Sequence, residues 1–415
     1  MSQMDANQPD AAGEAKLPRR DWVLLPVLSL FTIALISLST EWTARRVFPQ
    51  YPGNIYQCIV GGNTPDGTRG VPNSVCRGNR GDSPIEDYRL NSCGHRAGME
   101  CGPKPPGTYR IVLLGASFAI GEGVPMEKTL AAVLPADLSS RTGGKVDLYN
   151  EGMFSESPAT IGSHFDQVTA AQPDMILWVL TPFDIKLETV VMSSAGSSPA
   201  AGKDDSPPRE KLSVMGRIRR RLRVTIATRG IAETTSVLFH YYVGMYSNHL
   251  TSVVLLRHLL DRNQSQYVKS YLANPDAEFL NANPGAGWQS NLTRFGADYE
   301  QIEAQARAAG VPLVVVLIPN RAQAAMISMG KWPSGADPFR LDEDLRSIVS
   351  GRGGIYVDIL PDFRDVPSAE QYFYMVNGHP DERGNALLAG MLARALTSGA
   401  VPALGTGPRG PLEPR

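Results

Sequence analysis

Cysteine is missing from everything downstream of Cys101. All four cysteines, Cys58, Cys76, Cys93 and Cys101, fall in one stretch rich in Gly, Asn and Pro. Their separations of 18, 17 and 8 residues contain no Cys-x-x-Cys pair, which counts against a four-thiolate zinc site. An even, clustered set reads instead as two disulfides. Cys58–Cys76 with Cys93–Cys101 is the most local pairing, and all three connectivities stay open. Disulfides imply an oxidising compartment. Net charge is lacking too: 40 Lys and Arg face 41 Asp and Glu, a formal −1. That balance gives no sign of nucleic acid or another polyanionic partner. There is no His-x-x-x-His or His-Glu-x-x-His pattern for a metal. Gly115, Gly121 and Gly123 are wrongly spaced for a phosphate or dinucleotide loop. No metal and no cofactor are expected.

Long apolar runs are absent but for one. Trp22 to Thr40 is 19 residues without a charge, about 28 Å as a helix and close to the thickness of a bilayer core. Trp22 and Trp42 bracket it as interface anchors would. Glu41, Arg45 and Arg46 follow, not a small-x-small cleavage site, so an uncleaved anchor is favoured over a cleaved signal peptide. Positive residues flank both ends, so they leave the orientation open. The cysteines place the bulk of the chain on the oxidising side. The expectation is a single-pass inner (cytoplasmic) membrane protein with its main domain extracytoplasmic, in the periplasm.

What is present beyond the anchor falls into segments. Val47 to Pro106 has no sustained apolar period and reads as an irregular, disulfide-tied collar. An alternating pattern then begins. Strands are expected at Ile111–Leu114, Val146–Asn150, Met175–Leu180, Val311–Ile318 and Ile355–Ile359. Helices are expected near Leu130–Arg141, Ala159–Ala171, Leu292–Ala309, Leu341–Ser350 and Gly384–Leu396. Such alternation argues for a parallel sheet with helices on both faces. Residues 190–291 interrupt it. They hold a low-complexity run, Ser193 to Pro208, then an arginine cluster from Arg217 to Arg223. That cluster reads as a solvated helix face, with phosphate or lipid head groups as the functional alternative. A helical stretch with Phe239, Tyr241, Tyr242 and Tyr246 follows, and Asn274 to Asn291 reads as loop.

The chemistry centres on Arg110 to Val124, RIVLLGASFAIGEGV. Its apolar run is broken by Gly115, and Ser117 follows on the turn. A serine there stands at the carboxyl edge of a strand, where open α/β sheets bind ligands. A helix starting beside it would aim N–H groups and a positive dipole end at developing negative charge. Of the six histidines, only His379 sits in a Gly/Pro-flanked loop directly before the last helix. That loop shares the sheet edge with Ser117, so His379 can serve as the base that a serine hydroxyl needs. Its second nitrogen needs an acceptor. Asn377 offers an oxygen without a charge, and Asp381, Asp362 and Asp365 are the carboxylates that could substitute.

The order of these blocks resembles the SGNH/GDSL hydrolase superfamily in a membrane-anchored form. The resemblance runs from Tyr88 to Leu396 and is carried by YRLNSCGHRAGME, YRIVLLGASFAIGEGV, LYNEGMFSESP, PDMILWVLTPFDI and YFYMVNGHPDERGNALLA. It implies a three-layer α/β/α flavodoxin-like sandwich and an esterase, lipase or acyltransferase. It implies Ser117 as nucleophile, His379 as base and Asn377 in the place of the usual Asp. It implies oxyanion donors from the second block, where Gly152 and Ser155 are the matching positions. Three positions depart from the pattern: Ala116 replaces Asp, Asn377 replaces the triad Asp, and Phe183 replaces an oxyanion Asn. Two functions remain. One is a serine ester hydrolase or acyltransferase on acylated or O-acetylated glycans or lipids of the cell envelope. The other is an inactive protein of the same fold that binds glycan or scaffolds an envelope assembly. The expected organisation is a disordered tail (1–21), an anchor (22–40), the collar (41–106), the α/β domain (107–400) with its 190–291 helical insertion, and a second disordered tail (401–415).

Overall fold

The apolar run near the N-terminus forms one 27-residue helix, α1 (Asp21–Val47). Its large side chains from Trp22 to Leu38 are exposed, and its mean hydropathy reaches 2.2. It is long and apolar enough to cross a membrane. This computed structural model describes residues 18, 20–53, 55–61, 67–186 and 250–405. Outside the described residues lie most of both tails, the low-complexity run, the arginine cluster, the four aromatics at 239–246 and most of the 190–291 insertion.

The collar is more regular than its composition implies. β1 (Ile59–Gly61) pairs antiparallel with β2 (Thr68–Gly70), and β3 (Val75–Gly78) with β4 (Glu86–Arg89). Period-2 patterning is invisible in strands this short, which is why the sequence reads as coil. Two-stranded ribbons are marginal alone. The bond Cys58–Cys76 joins the residue before β1 to β3, and Cys93–Cys101 closes the next loop. No cysteine among the described residues is free.

The main domain begins with β5 (Thr108–Gly115), buried along its whole length. Then come the single turn α2 (Ser117–Ile120) and α3 (Leu130–Thr142), followed by β6 (Lys145–Asn150), α4 (Pro158–Ser163), α5 (Phe165–Ala170) and β7 (Met175–Leu180). After the undescribed segment come α6 (Thr251–Leu260), α7 (Gln264–Leu272) and α8 (Ala286–Ala308). The chain closes with β8 (Leu313–Leu317), α9 (Arg321–Met329), α10 (Arg340–Ser350), β9 (Ile355–Val357) and α11 (Glu382–Ala395).

The five strands β5 to β9 make one parallel sheet in the order β6-β5-β7-β8-β9. This is the 2-1-3-4-5 order of the flavodoxin-like fold. α3 and α11 pack together on one face, and α8 packs with α4 and α10 on the other. The three central strands are covered on both sides, so they read as unbroken apolar runs rather than alternating ones. Trp178 of β7 packs on Phe295 and Tyr299 of α8 at ring separations of 5.8 and 6.4 Å.

Three local expectations differ from what is observed. The helix expected at 159–171 breaks at His164, whose backbone leaves the helical region at φ −127°. The loop expected up to Asn291 already contains the start of α8, where Trp288 and Asn291 are buried. α9 went unread because it is short and rich in alanine. Its first turn is closed by Asn320, whose side chain accepts the Gln323 N–H at 2.8 Å.

Candidate active site

β5 ends at Gly115, whose φ is +143°. A side chain there would put its Cβ 2.5 Å from the Val179 carbonyl of β7, so only glycine lets the chain turn here against its neighbouring strand. The turn delivers Ser117 to the carboxyl edge of the sheet. α2 is one turn long, so the helix dipole expected beside the serine amounts to little. What remains are N–H groups: Ser117 is first in its turn, and its N–H has no partner within the helix.

The second half of the site comes from the loop between β9 and α11. His379 Nε2 lies 2.7 Å from Ser117 Oγ, and Asn377 Oδ1 lies 2.5 Å from His379 Nδ1. His379 is buried, with Phe118 against its ring at 4.8 Å. Burial holds its pKa below the usual imidazole value, against the pull of Glu122. The imidazole is therefore neutral at pH 7 and free to accept a proton.

Two of the three carboxylates named from sequence go elsewhere. Asp381 caps α11, accepting the Gly384 N–H at 2.8 Å, and Asp362 pairs with Arg394 at 2.9 Å. The acceptor on the outer nitrogen of His379 is the uncharged Asn377.

The turn after β6 lies beside the nucleophile, with the Met153 N–H donating to Gly115 O at 3.0 Å. Its two candidate donors differ. Gly152 N–H is already given to Asn150 Oδ1 at 3.0 Å. Ser155 sits in the left-handed region at φ +57° and is exposed, and its N–H meets no acceptor among the described residues. A serine thus adopts the backbone shape that glycine usually supplies. Phe183 is 58% exposed and has no donor to offer. The next residue, Asp184, is buried and accepts the Thr181 N–H at 2.6 Å, so it shapes the turn after β7.

Sequence reasoning missed the residues that hold this edge together, and most come from the collar. Asp82 accepts the N–H groups of Met375, Val376 and Asn377 at 2.8 to 3.1 Å. Arg96, fully buried, donates to the carbonyls of Ile120, Gly121 and Val124 at 2.7 to 3.0 Å. Its guanidinium lies 4.5 Å from the centre of the Tyr88 ring. Tyr88 in turn accepts the Gly123 N–H at 2.8 Å, and Tyr374 donates to Gly123 O at 2.7 Å. The loop Gly121–Val124 is therefore gripped from three sides.

The loop carries Glu122, 2% exposed. Its Oε1 accepts from Asn377 Nδ2 at 3.1 Å and from Arg80 Nη1 at 3.4 Å. Its Oε2 lies 3.4 Å from His379 Nε2. Burial pushes its carboxyl up, but His379, Arg80 and the Asn377 amide hold it below the usual carboxylate range. The only signal in the sequence was a charged residue between two glycines, in a turn where small residues are the rule.

No family model matches this chain, and no curated protein does. Solved structures align with it loosely. LAE5, an alpha/beta hydrolase from the metagenome of Lake Arreo, aligns at 11% identity and a TM-score of 0.35, over 72% of this chain and 96% of its own. The lipase/acylhydrolase from Enterococcus faecalis aligns at 11% and 0.36, over 69% and 95%. The esterase EstA from Pseudoalteromonas sp. aligns at 9% and 0.34, over 69% and 96%. At such values the chemistry rests on this chain's own side chains.

Proposed function

We propose that this chain is an SGNH-type, serine-dependent ester hydrolase or acyltransferase. The observation that carries the reading is the 2.7 Å contact between Ser117 Oγ and His379 Nε2 at the carboxyl edge of the parallel sheet. A hydroxyl at that distance from a neutral imidazole nitrogen can pass its proton as Oγ attacks a carbonyl carbon. The carbonyl pair moves onto oxygen, and the Ser117 and Ser155 N–H groups are the donors for it. His379 then gives the proton to the leaving oxygen as the ester C–O bond breaks, leaving an acyl group on Ser117. Water, or the hydroxyl of an acceptor, removes that group by the same steps in reverse.

α1 as an anchor and two disulfides in the adjoining segment support an extracytoplasmic domain tethered to the inner membrane. Acyl or O-acetyl esters of envelope glycans or lipids are the substrates within reach of such a domain. The domain boundaries of the sequence reading, with an anchor, a collar and an α/β unit, belong to the same proposal. So does its rival, an inactive binding protein, which Phe183 favours because the position offers no oxyanion donor.

A fluorophosphonate probe decides between the two. Labelling of the wild type, lost in Ser117→Ala and His379→Ala, supports the enzyme. No labelling, together with small acetyl esters turned over equally by wild type and Ser117→Ala, leaves the binding protein.

A further inference from the structure

We infer that Glu122 supplies the negative charge that Asn377 cannot, so that the working unit is Ser117, His379, Asn377 and Glu122. The inference rests on Ser117 and His379 being nucleophile and base.

The proton positions follow from the partners of Asn377. Its Nδ2 faces two groups that only accept, Glu122 Oε1 at 3.1 Å and the Arg80 carbonyl at 3.2 Å. That side must be the NH₂, so Oδ1 faces His379 Nδ1, and Nδ1 carries the ring proton. The lone pair is therefore on Nε2, towards Ser117. Asn377 orients the base but brings no charge to steady an imidazolium.

Glu122 brings one, by two routes. Through Oε1 it polarises the Asn377 amide that holds Nδ1. Through Oε2 it faces Nε2 itself at 3.4 Å. Oε2 is buried and has no hydrogen-bond partner among the described residues. A buried acceptor left empty is costly. When Nε2 takes the proton of Ser117, the imidazolium charge forms 3.4 Å from this oxygen. That attraction between opposite charges is missing from the neutral resting site and gained in the transition state, which is the kind that lowers a barrier. Arg80 on Oε1 keeps the carboxylate charged. Arg96, Tyr88 and Tyr374 hold its loop, so the charge is in place before the reaction.

A counter-ion for Arg80 is the purely structural role for the same residue, and moving the charge separates the two. E122Q keeps the shape and loses the charge. N377D puts a carboxylate on Nδ1 but directly against Glu122, where two anions repel or share a proton. E122Q/N377D places the charge on Nδ1 with an amide beside it. The rate of fluorophosphonate labelling and the turnover of a small acetyl ester are measured in all four proteins, with circular dichroism to check folding. We expect E122Q to be slower than wild type by about 10²-fold or more. We expect N377D to be no faster than wild type, and the double variant at least about tenfold faster than E122Q. E122Q within threefold of wild type, or a double variant no better than E122Q, overturns the inference. If E122Q fails to fold, N377D decides alone: a rate above wild type means that Asn377 merely lacked its charge and that Glu122 does not supply it. A wild type that never labels instead removes the proposed function beneath.

Discussion

Asp82 and Asn377 are 295 positions apart in the chain, yet the Asn377 N–H donates to Asp82 Oδ1 at 2.9 Å. One carboxylate from the collar takes three successive N–H groups of the loop that presents the base. A loop without regular structure is held to its shape this way, and His379 with it. Asp82→Ala leaves those donors without an acceptor. We expect it to lower stability by about 2–4 kcal/mol and turnover by roughly 10–100-fold. Urea melts and acetyl-ester kinetics check both. Unchanged turnover would mean that the loop keeps its shape without Asp82.

The pH profile of the reaction follows from His379. Its pKa lies below the usual imidazole value because it is buried, and Glu122 works against that shift. The base is needed in its neutral form, so kcat/KM falls as pH drops through the folded-state value. The acid limb should therefore lie below pH ~6.5. In E122Q the opposing pull is gone, and the limb moves further to acid. A limb above pH 7 in the wild type would contradict the buried neutral imidazole.

Stability should show a different dependence. Glu151 is pushed up to about 8 by burial and by Glu156, against the pull of His164. Asp184 is pushed up to about 7, chiefly by burial. Both carboxyls keep their protons in the fold at pH values where the unfolded chain has released them. The contribution of these two groups to stability is greatest below the ordinary carboxylate range and is lost as pH rises towards the folded values. Urea midpoints should fall between pH 5 and 8, and Glu151→Gln should flatten that slope. An equal slope in the variant would show that Glu151 is ionised in the fold.

The bond Cys58–Cys76 spans 18 residues and ties the two ribbons that lead into Arg80 and Asp82. Replacing both cysteines by serine should cost about 2–4 kcal/mol. Turnover should fall as well, since both side chains reach the base loop or Glu122. A protein that melts lower with full activity would show that the ribbons stabilise the fold without placing the site.

The sequence by itself determined the framework. Unbroken apolar runs alternating with helical segments specify a parallel sheet covered on both faces. The sense of the strands then sends the turn after β5 and the loop before α11 to the same edge. That is enough to pair Ser117 with His379 as candidates, because strand direction is a local property repeated five times. Clustered cysteines and one apolar run were equally legible, since composition alone reports them. The ribbons of the collar were not, because three- and four-residue strands carry no period.

Only the tertiary structure decided which polar groups meet. Asp362, Asp365 and Asp381 were the candidates because they are near His379 in sequence, and two of them are occupied as an ion pair and a helix cap. The carboxylate that reaches the base is Glu122, from the loop after Ser117, and the one that shapes its loop is Asp82, from the collar. Apolar burial follows from a pattern along the chain, because any apolar neighbour satisfies it. A hydrogen bond or a charge contact requires one particular atom within about 3 Å, and which atom arrives there depends on how distant segments pack.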